Sequence, residues 1–318
     1  MNHLSRLLLF ALMSCSTPAG PFAQPETESD QAEGAVVESN EWTAAADPEL
    51  PGGPEESQTP GLSADETSSS AGAPQPAPAS AFDHSHARWN TILGEHVSGE
   101  GFAYGPLAKS PDALYAYLEE LHAVTPKELE GWTKDQRFAF WINAYNAHTI
   151  QKVIENYPLK SIRKLDKAFG LTTVFEQAWI PMQAFHPKGK DKKLSLNHIE
   201  HDLLRAHFPD ARLHAAINCA SESCPPLRNE AFIAERLDEQ LQEQMEAFVR
   251  DASRNAFDRE KGVARLSEIF KWFSGDFERD AGSVRDYVVR FAAPEDAAFL
   301  RDAKLRYLDY SWALNDVR

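Results

Sequence analysis

The sequence predicts a mixed α+β domain, a set of helices packed on a small β-sheet, preceded by a disordered tether. Three observations carry that reading. Residues 16–80 are rich in Pro, Glu, Ser, Ala and Gly, and nine of the chain's twenty prolines lie between 21 and 80. The remaining ~240 residues suffice for one large domain with a substantial core. Within them, segments of helical period alternate with short strand-like runs that do not build regular βαβ units, which argues against a doubly wound sheet.

The first fifteen residues suggest an address. Met1 to Arg6 carries one positive charge, and Leu7 to Met13 is an unbroken apolar run. That run has the length of a signal-peptide core and is too short to span a bilayer. Leu12-Met13-Ser14-Cys15 resembles the lipobox of bacterial lipoproteins. The resemblance implies cleavage after residue 14 and acylation of Cys15, and several acyl chains anchor stably where one is marginal. Ser16 implies, by the sorting rule of such proteins, an outer-membrane lipoprotein facing the periplasm. The alternative is an ordinary secreted protein whose Cys15 is discarded with the leader.

Net charge is -16, and its position matters more than its size. Residues 21–80 hold twelve Asp or Glu and no Lys or Arg, whereas 81–318 hold 36 acidic and 31 basic residues. The acidity belongs to the tether, and neither part presents a basic nucleic-acid footprint. Phe22 and Trp42 are the largest apolar residues between 16 and 80, so that stretch has little apolar surface with which to offset chain entropy. The expected organisation is a signal peptide over 1–14, a lipid-anchored acidic linker over 15–81, and the α+β domain over 82–318. The linker reads as a spacer, with a docking site for an envelope partner as the alternative.

Along the domain, Leu114, Tyr117, Leu118 and Leu121 predict a helix over 112–122. Thr133 and Gln136 form a capping-box pattern ahead of Phe138, Trp141, Ile142 and Tyr145, whose spacing predicts a helix that stops before Pro158. Ser195 reads as the cap of a helix carrying Leu196, Ile199 and Leu203, broken by Pro209-Asp210. Residues 212–218 alternate weakly and predict a buried strand. Phe232, Leu237, Leu241, Met245 and Phe248 mark a long amphipathic helix. Residues 263–266 read as a strand, Ser267 as the cap of a helix with Ile269, Phe270 and Phe273, 284–291 as a helix, and 308–314 as a closing strand.

Four segments are more polar than a core needs. Asn143 and Asn146 share one face of their helix, although Asn is a poor mid-helix residue because its amide competes for the backbone. They read either as amides pinning a loop or as hydrogen-bond donors to a substrate. His201 and Arg205 lie one turn apart, and His201 is a candidate general base or a satisfied structural histidine. Residues 214–226 run into a loop holding Cys219 and Cys224, the cysteines of the domain. Their spacing suggests a local disulfide in an oxidising compartment. A sharper reading makes Cys219 a thiolate nucleophile, which needs a base within reach. His214 would stand about 16 Å away along a strand at ~3.3 Å per residue, so His201 is the first choice. Zinc held by both cysteines and a histidine is a further option, though the spacing matches no familiar zinc pattern. In the fourth segment, 308–315, Asp309 or Asn315 could bind the backbone of another element.

Ala139-Phe140-Trp141-Ile142-Asn143-Ala144-Tyr145-Asn146-Ala147, Leu159-Lys160-Ser161-Ile162-Arg163, Leu194-Ser195-Leu196 with Ile199-Glu200-His201, Asn218-Cys219-Ala220-Ser221 with Ser223-Cys224-Pro225-Pro226-Leu227, and Ile269-Phe270-Lys271-Trp272-Phe273 together resemble the domain of unknown function 547 (DUF547) family. The resemblance covers about residues 110–292. It implies relatives among bacterial envelope proteins and coiled-coil proteins of plants, and it transfers no mechanism. Position 148 is usually apolar in that family and is histidine here, so no catalytic role is carried onto His148.

Two functions follow as expectations. One is a cysteine-dependent hydrolase or acyl-transferase with Cys219 as nucleophile, His201 as base and Asn143 or Asn146 as orienting or oxyanion group. The other is a non-catalytic module that binds an envelope partner. No cofactor or metal is expected, and the membrane is reached through the lipid anchor.

Overall fold

Trp89, Ile92 and Leu93 fall on one face of α1 (Ala87–His96) and seat it on the body of the domain. A short hairpin follows, β1 (Val97–Ser98) against β2 (Gly101–Phe102), then α2 (Tyr104–Lys109), α3 (Asp112–Ala123) and α4 (Pro126–Glu130). The computed structural model describes residues 81–318 except 100, 168–169, 183–184, 186–192 and 318. The leader, Cys15 and the tether up to residue 80 lie outside the described residues.

The capping box at Thr133 forms as the sequence predicts. Thr133 Oγ1 accepts from the Gln136 N–H at 3.2 Å, and Gln136 Oε1 accepts from the Thr133 N–H at 2.9 Å. It opens α5 (Lys134–Ile154), where every residue from 138 to 150 is buried. A helix covered on all sides is the axis of a core rather than a surface element. The hydrophobic cluster accordingly gathers α1, α3, α5 and residues as far away as Phe232 and Leu314.

Ser195 caps the next helix as predicted, its Oγ accepting from the His198 N–H at 3.1 Å. His198–Arg205 winds as a π-helix, a wider form that is rare and often marks functional sites. The predicted strand over 212–218 is absent. Leu213–Ala216 forms one helical turn, α6, and only Ile217 onward is extended. All four residues of that turn are buried, so their apolar character reflects burial on every side and not alternation between two faces.

The C-terminal third is α7 (Leu237–Arg250), β3 (Ala256–Asp258), β4 (Val263–Leu266), α8 (Ile269–Trp272), α9 (Ser274–Ala281), α10 (Val284–Phe291), α11 (Pro294–Asp302) and β5 (Lys304–Tyr307). The sheet order is β3-β4-β5, with β3 antiparallel and β5 parallel to β4. The α+β class therefore holds. The closing strand is β5, ahead of the predicted 308–314. Residues 308–315 instead follow an irregular path beside the cysteine loop. Glu222 N–H donates to Ala313 O at 2.8 Å, and Ser311 N–H donates to Ser223 Oγ at 2.8 Å.

The β1–β2 hairpin meets the C-terminal segment here. Phe102 N–H donates to Asn315 O at 2.9 Å, and a Cβ on Gly101 would lie 2.7 Å from that same oxygen. Glycine is required at 101 because the C-terminal backbone occupies the space a side chain would need. No described helix is long and apolar enough to cross a membrane.

A candidate thiol site

Cys219 follows α6 in a loop fixed by amides. Asn146 Nδ2 donates to Ala216 O at 2.9 Å, and Asn146 Oδ1 accepts from the Asn218 N–H at 2.8 Å. Asn218 in turn takes the Ala220 N–H on its Oδ1 and donates its amide to Pro225 O, both at 2.8 Å. Asn315 Nδ2 reaches the same Oδ1 at 3.4 Å, and Tyr104 OH donates to Asn315 Oδ1 at 2.8 Å. Asn143 performs a similar task on a different loop, donating to Phe232 O at 2.7 Å and accepting from its N–H at 3.1 Å. Both helix amides thus spend one donor and one acceptor on backbone groups that burial would otherwise leave unpaired.

Ala220, completely buried, has φ 60. That left-handed conformation costs a residue with a Cβ about 1 kcal/mol and persists only where the surroundings enforce it. The enforcing contacts are the Asn218 side chain on one side and the pairing of Ser221 with Leu314 on the other. On the outer side of the loop, buried Arg254 donates to Cys224 O at 2.7 Å and Glu222 O at 2.9 Å.

The Cys219 sulfur lies 3.1 Å from Ser221 Oγ and 3.2 Å from Tyr310 OH, and those two hydroxyls are 2.8 Å apart. Trp272 and Trp312 hold the Tyr310 ring, with centroids at 4.7 and 4.8 Å. Cys224 is buried behind Cys219, and its Sγ accepts the Cys219 N–H at 3.1 Å. Both cysteines are free. Burial alone would raise the Cys219 thiol, but hydrogen bonds from Cys224, Ser221 and Tyr310 outweigh it and bring it down to about 7. Burial and the charge on Cys219 push the Cys224 thiol well up. The Tyr310 phenol is raised for the same two reasons and remains a donor.

Glu200, on the π-helix, is the second unusual acid. It is 3% exposed, and burial pushes its carboxyl up to about 8 against the pull of Arg205. Cys219 contributes to that rise, and the Glu200 carboxyl hydrogen-bonds Tyr145 of α5. The ordinary ranking of the two acids is reversed. Near neutral pH the sulfur, with Cys224, Ser221 and Tyr310 as hydrogen-bond partners, is partly ionised, and burial holds the carboxyl toward its protonated form.

His201 sits in a different cluster. Its Nδ1 is 3.0 Å from Arg205 Nη1. Arginine only donates, so Nδ1 is the accepting nitrogen and the ring's single neutral lone pair is occupied. Burial and then the Arg205 charge lower His201 to about 4. Arg205 Nε also donates to Asp276 Oδ2 at 2.8 Å, and His214 Nε2 lies 2.7 Å from that oxygen while its ring stacks on Phe273 at 3.9 Å. His214 and Arg205 hold the Asp276 carboxyl well below the usual range despite its partial burial. Among the described residues, no group of three or more His, Cys, Asp or Glu is arranged to hold a metal ion.

The sequence drew attention to Cys219, His201, Asn143 and Asn146. The structure places Cys219 and Asn146 on the same loop assembly, with Asn143 one turn away on α5 and His201 in the Arg205–Asp276 cluster. Tyr310, Ser221 and Glu200 were not singled out individually. Tyr310 and Asn315 lie in the fourth polar segment, and that segment does meet the cysteine loop.

Fold and site together define a helix-rich α+β domain with a pair of thiols set in a braced loop. Residues 129–249 match the family described as Protein of unknown function, DUF547. The match spans α5, the π-helix, the cysteine loop and most of α7, and leaves out the segment that carries Tyr310. No curated protein and no solved structure matches the chain.

Proposed function

We propose that the domain is a cysteine-dependent enzyme, a hydrolase or acyl-transferase in which the Cys219 thiolate attacks an acyl carbonyl. The observation that carries this reading is the sulfur environment. A half-buried thiol has three side-chain hydrogen-bond partners that favour its charged form, and burial does not cancel them.

A thiol with a pKa of about 7 is about half ionised at neutral pH, against a few per cent for an ordinary cysteine. Such a nucleophile does not need a histidine to remove its proton. In this reading His201 is a positioning residue that, with Arg205, supports the π-helix. Asn146 positions the Cys219 loop and Asn143 the Phe232 loop. Ser221 and Tyr310 stabilise the thiolate, and their hydroxyls are free to turn toward an oxyanion once the sulfur is acylated. Glu200, protonated beside Tyr145, holds a proton in reach of the same electrostatic field.

The test is acylation of the purified full-length chain by a p-nitrophenyl ester or thioester probe, followed by site mapping. A covalent adduct on Cys219 that turns over supports the reading. A protein that stays unmodified at Cys219 overturns it.

We further propose that the chain is exported and anchored as an outer-membrane lipoprotein through acylated Cys15, facing the periplasm and an envelope substrate or partner. The support is the N-terminal sequence pattern. Metabolic labelling with a palmitate analogue should mark the wild-type chain and fail on Cys15→Ser; equal labelling of both would overturn it.

A further inference from the structure

We propose that Cys219 and Cys224 are a redox-active pair that exchanges with a disulfide substrate, Cys219 attacking and Cys224 resolving. The proposal rests on the reading of Cys219 as a nucleophile and adds a second activity to the same loop.

The geometry separates the two sulfurs by role. Cys219 is half-buried and has two hydroxyl partners at 3.1 and 3.2 Å, whereas Cys224 is 3% exposed and sits behind it, its sulfur against the Cys219 N–H. The two side chains are hydrogen-bonded to each other. Of the two residues, Cys219 is therefore the one nearer solvent. The loop is also held closed. The Cys224 N–H donates to Ser221 O at 3.1 Å, Arg254 braces the Cys224 and Glu222 carbonyls, and Asn218 ties Ala220 to Pro225.

The acidities agree with that division of labour. The accessible thiol is lowered and the buried one raised, so attack begins at Cys219 and Cys224 is deprotonated only as it reacts. Intrinsic nucleophilicity falls with pKa with a slope near 0.4–0.5. A drop from about 8.5 to about 7 therefore costs roughly fivefold in nucleophilicity while raising the thiolate fraction roughly fifteenfold at pH 7. The net gain is about threefold near neutrality and grows at lower pH.

The Cys219 thiolate forms a bond to one substrate sulfur, the substrate S–S bond breaks, and the first substrate thiolate departs. Cys224 then gives up its proton and bonds to the Cys219 sulfur, expelling the second substrate thiolate. The two cysteines lose two electrons, and the substrate disulfide gains them. The proton Cys219 shed to solvent and the one Cys224 releases end on the two departing thiolates.

The test uses the full-length chain carrying Cys15→Ser, so that Cys219 and Cys224 are its two thiols and it serves as wild type for the pair, with oxidised glutathione as the probe, acid quenching and intact-mass analysis. Wild type should release two glutathione molecules per chain and end with both thiols gone and no adduct. Cys224→Ser and Cys224→Ala should each release one and retain glutathione on Cys219, their folding checked by circular dichroism. Wild type that accumulates the glutathione adduct, as the variants do, overturns the proposal and leaves Cys219 standing as a nucleophile. Failure of the hydrolase reading looks different: the ester probe gives no adduct while the internal disulfide still forms. A wild-type chain that does not react with glutathione at all overturns the pair.

Discussion

Replacing Glu200 by Gln should make the domain more stable at and above neutral pH and remove a pH-dependent component from its unfolding. Glu200 is buried, and its carboxyl is raised from 4.5 to about 8. In the unfolded chain the same carboxyl ionises near its ordinary value. The folded state therefore binds this proton more tightly, and the stability it contributes is fully present below about pH 4.5 and lost as pH rises toward 8. The span is about 3.5 units, and at ~1.36 kcal/mol per unit the swing by pH 8 is on the order of 4 kcal/mol. Glutamine keeps the shape and a hydrogen bond to Tyr145 and cannot ionise. The assay is urea unfolding of wild type and Glu200→Gln at intervals from pH 4 to 8.5. Subtracting one curve from the other removes the contributions of groups that titrate alike in both proteins and leaves that of Glu200 together with its coupling to Cys219 and Asp276. The variant should gain on wild type steadily above pH 5. Parallel curves would refute the reasoning, because they would mean that Glu200 ionises alike in the folded and unfolded chains.

Four further substitutions probe the same geometry. Tyr310→Phe removes one donor to the sulfur; a hydrogen bond to a charged group is worth about 1.5–3 kcal/mol, so the Cys219 pKa should rise by about 1 to 2 units, read from the pH midpoint of its alkylation. Asp276→Asn leaves Arg205 and His214 without their shared carboxylate and should cost about 3 to 5 kcal/mol in urea unfolding. Because the Asp276 pKa is lowered by folding, its contribution is present above about pH 3.8 and lost as pH falls, so the variant should also show a shallower acid-side decline. Asn143→Ala and Asn146→Ala should each cost about 2 to 4 kcal/mol by orphaning one buried N–H and one buried carbonyl, and only Asn146→Ala should also move the Cys219 midpoint, because it alone braces the residues before the thiol.

How far the sequence could be read depended on whether a local rule was in force. The capping box at Thr133, the Ser195 cap and the stripe Leu237, Leu241, Met245 and Phe248 are local signals, and each marked its helix. Leu213–Ala216 misled because burial on all sides erases the periodicity that separates helix from strand. The π-turn at His198–Arg205 left no trace in residue spacing. Pairing of Asn143 with Asn146 on one helix face was visible, and so was the competition between reading them as braces and reading them as substrate donors; only the three-dimensional course of the 216–218 and 232 segments shows which backbone atoms they hold. Tyr310 and Glu200 were beyond reach for a different reason. Each matters through tertiary contacts: Tyr310 meets the Cys219 sulfur across 91 residues, and Glu200 is buried against Tyr145 of a separate helix and feels the charge of Cys219. His201 looked like a base because histidine beside a buried stripe often is one. Its pairing with Arg205, one turn along the same helix, was equally visible, and it is that pairing which occupies the lone pair.

The most direct trial of the account is the rate of iodoacetamide modification of Cys219 in the intact wild-type chain as a function of pH, followed by mass mapping so that Cys224 is counted separately. A midpoint near pH 7 with Cys224 unmodified is the expected result. A midpoint at or above about 8.5, the value of an ordinary cysteine, or equal modification of both thiols, would contradict it.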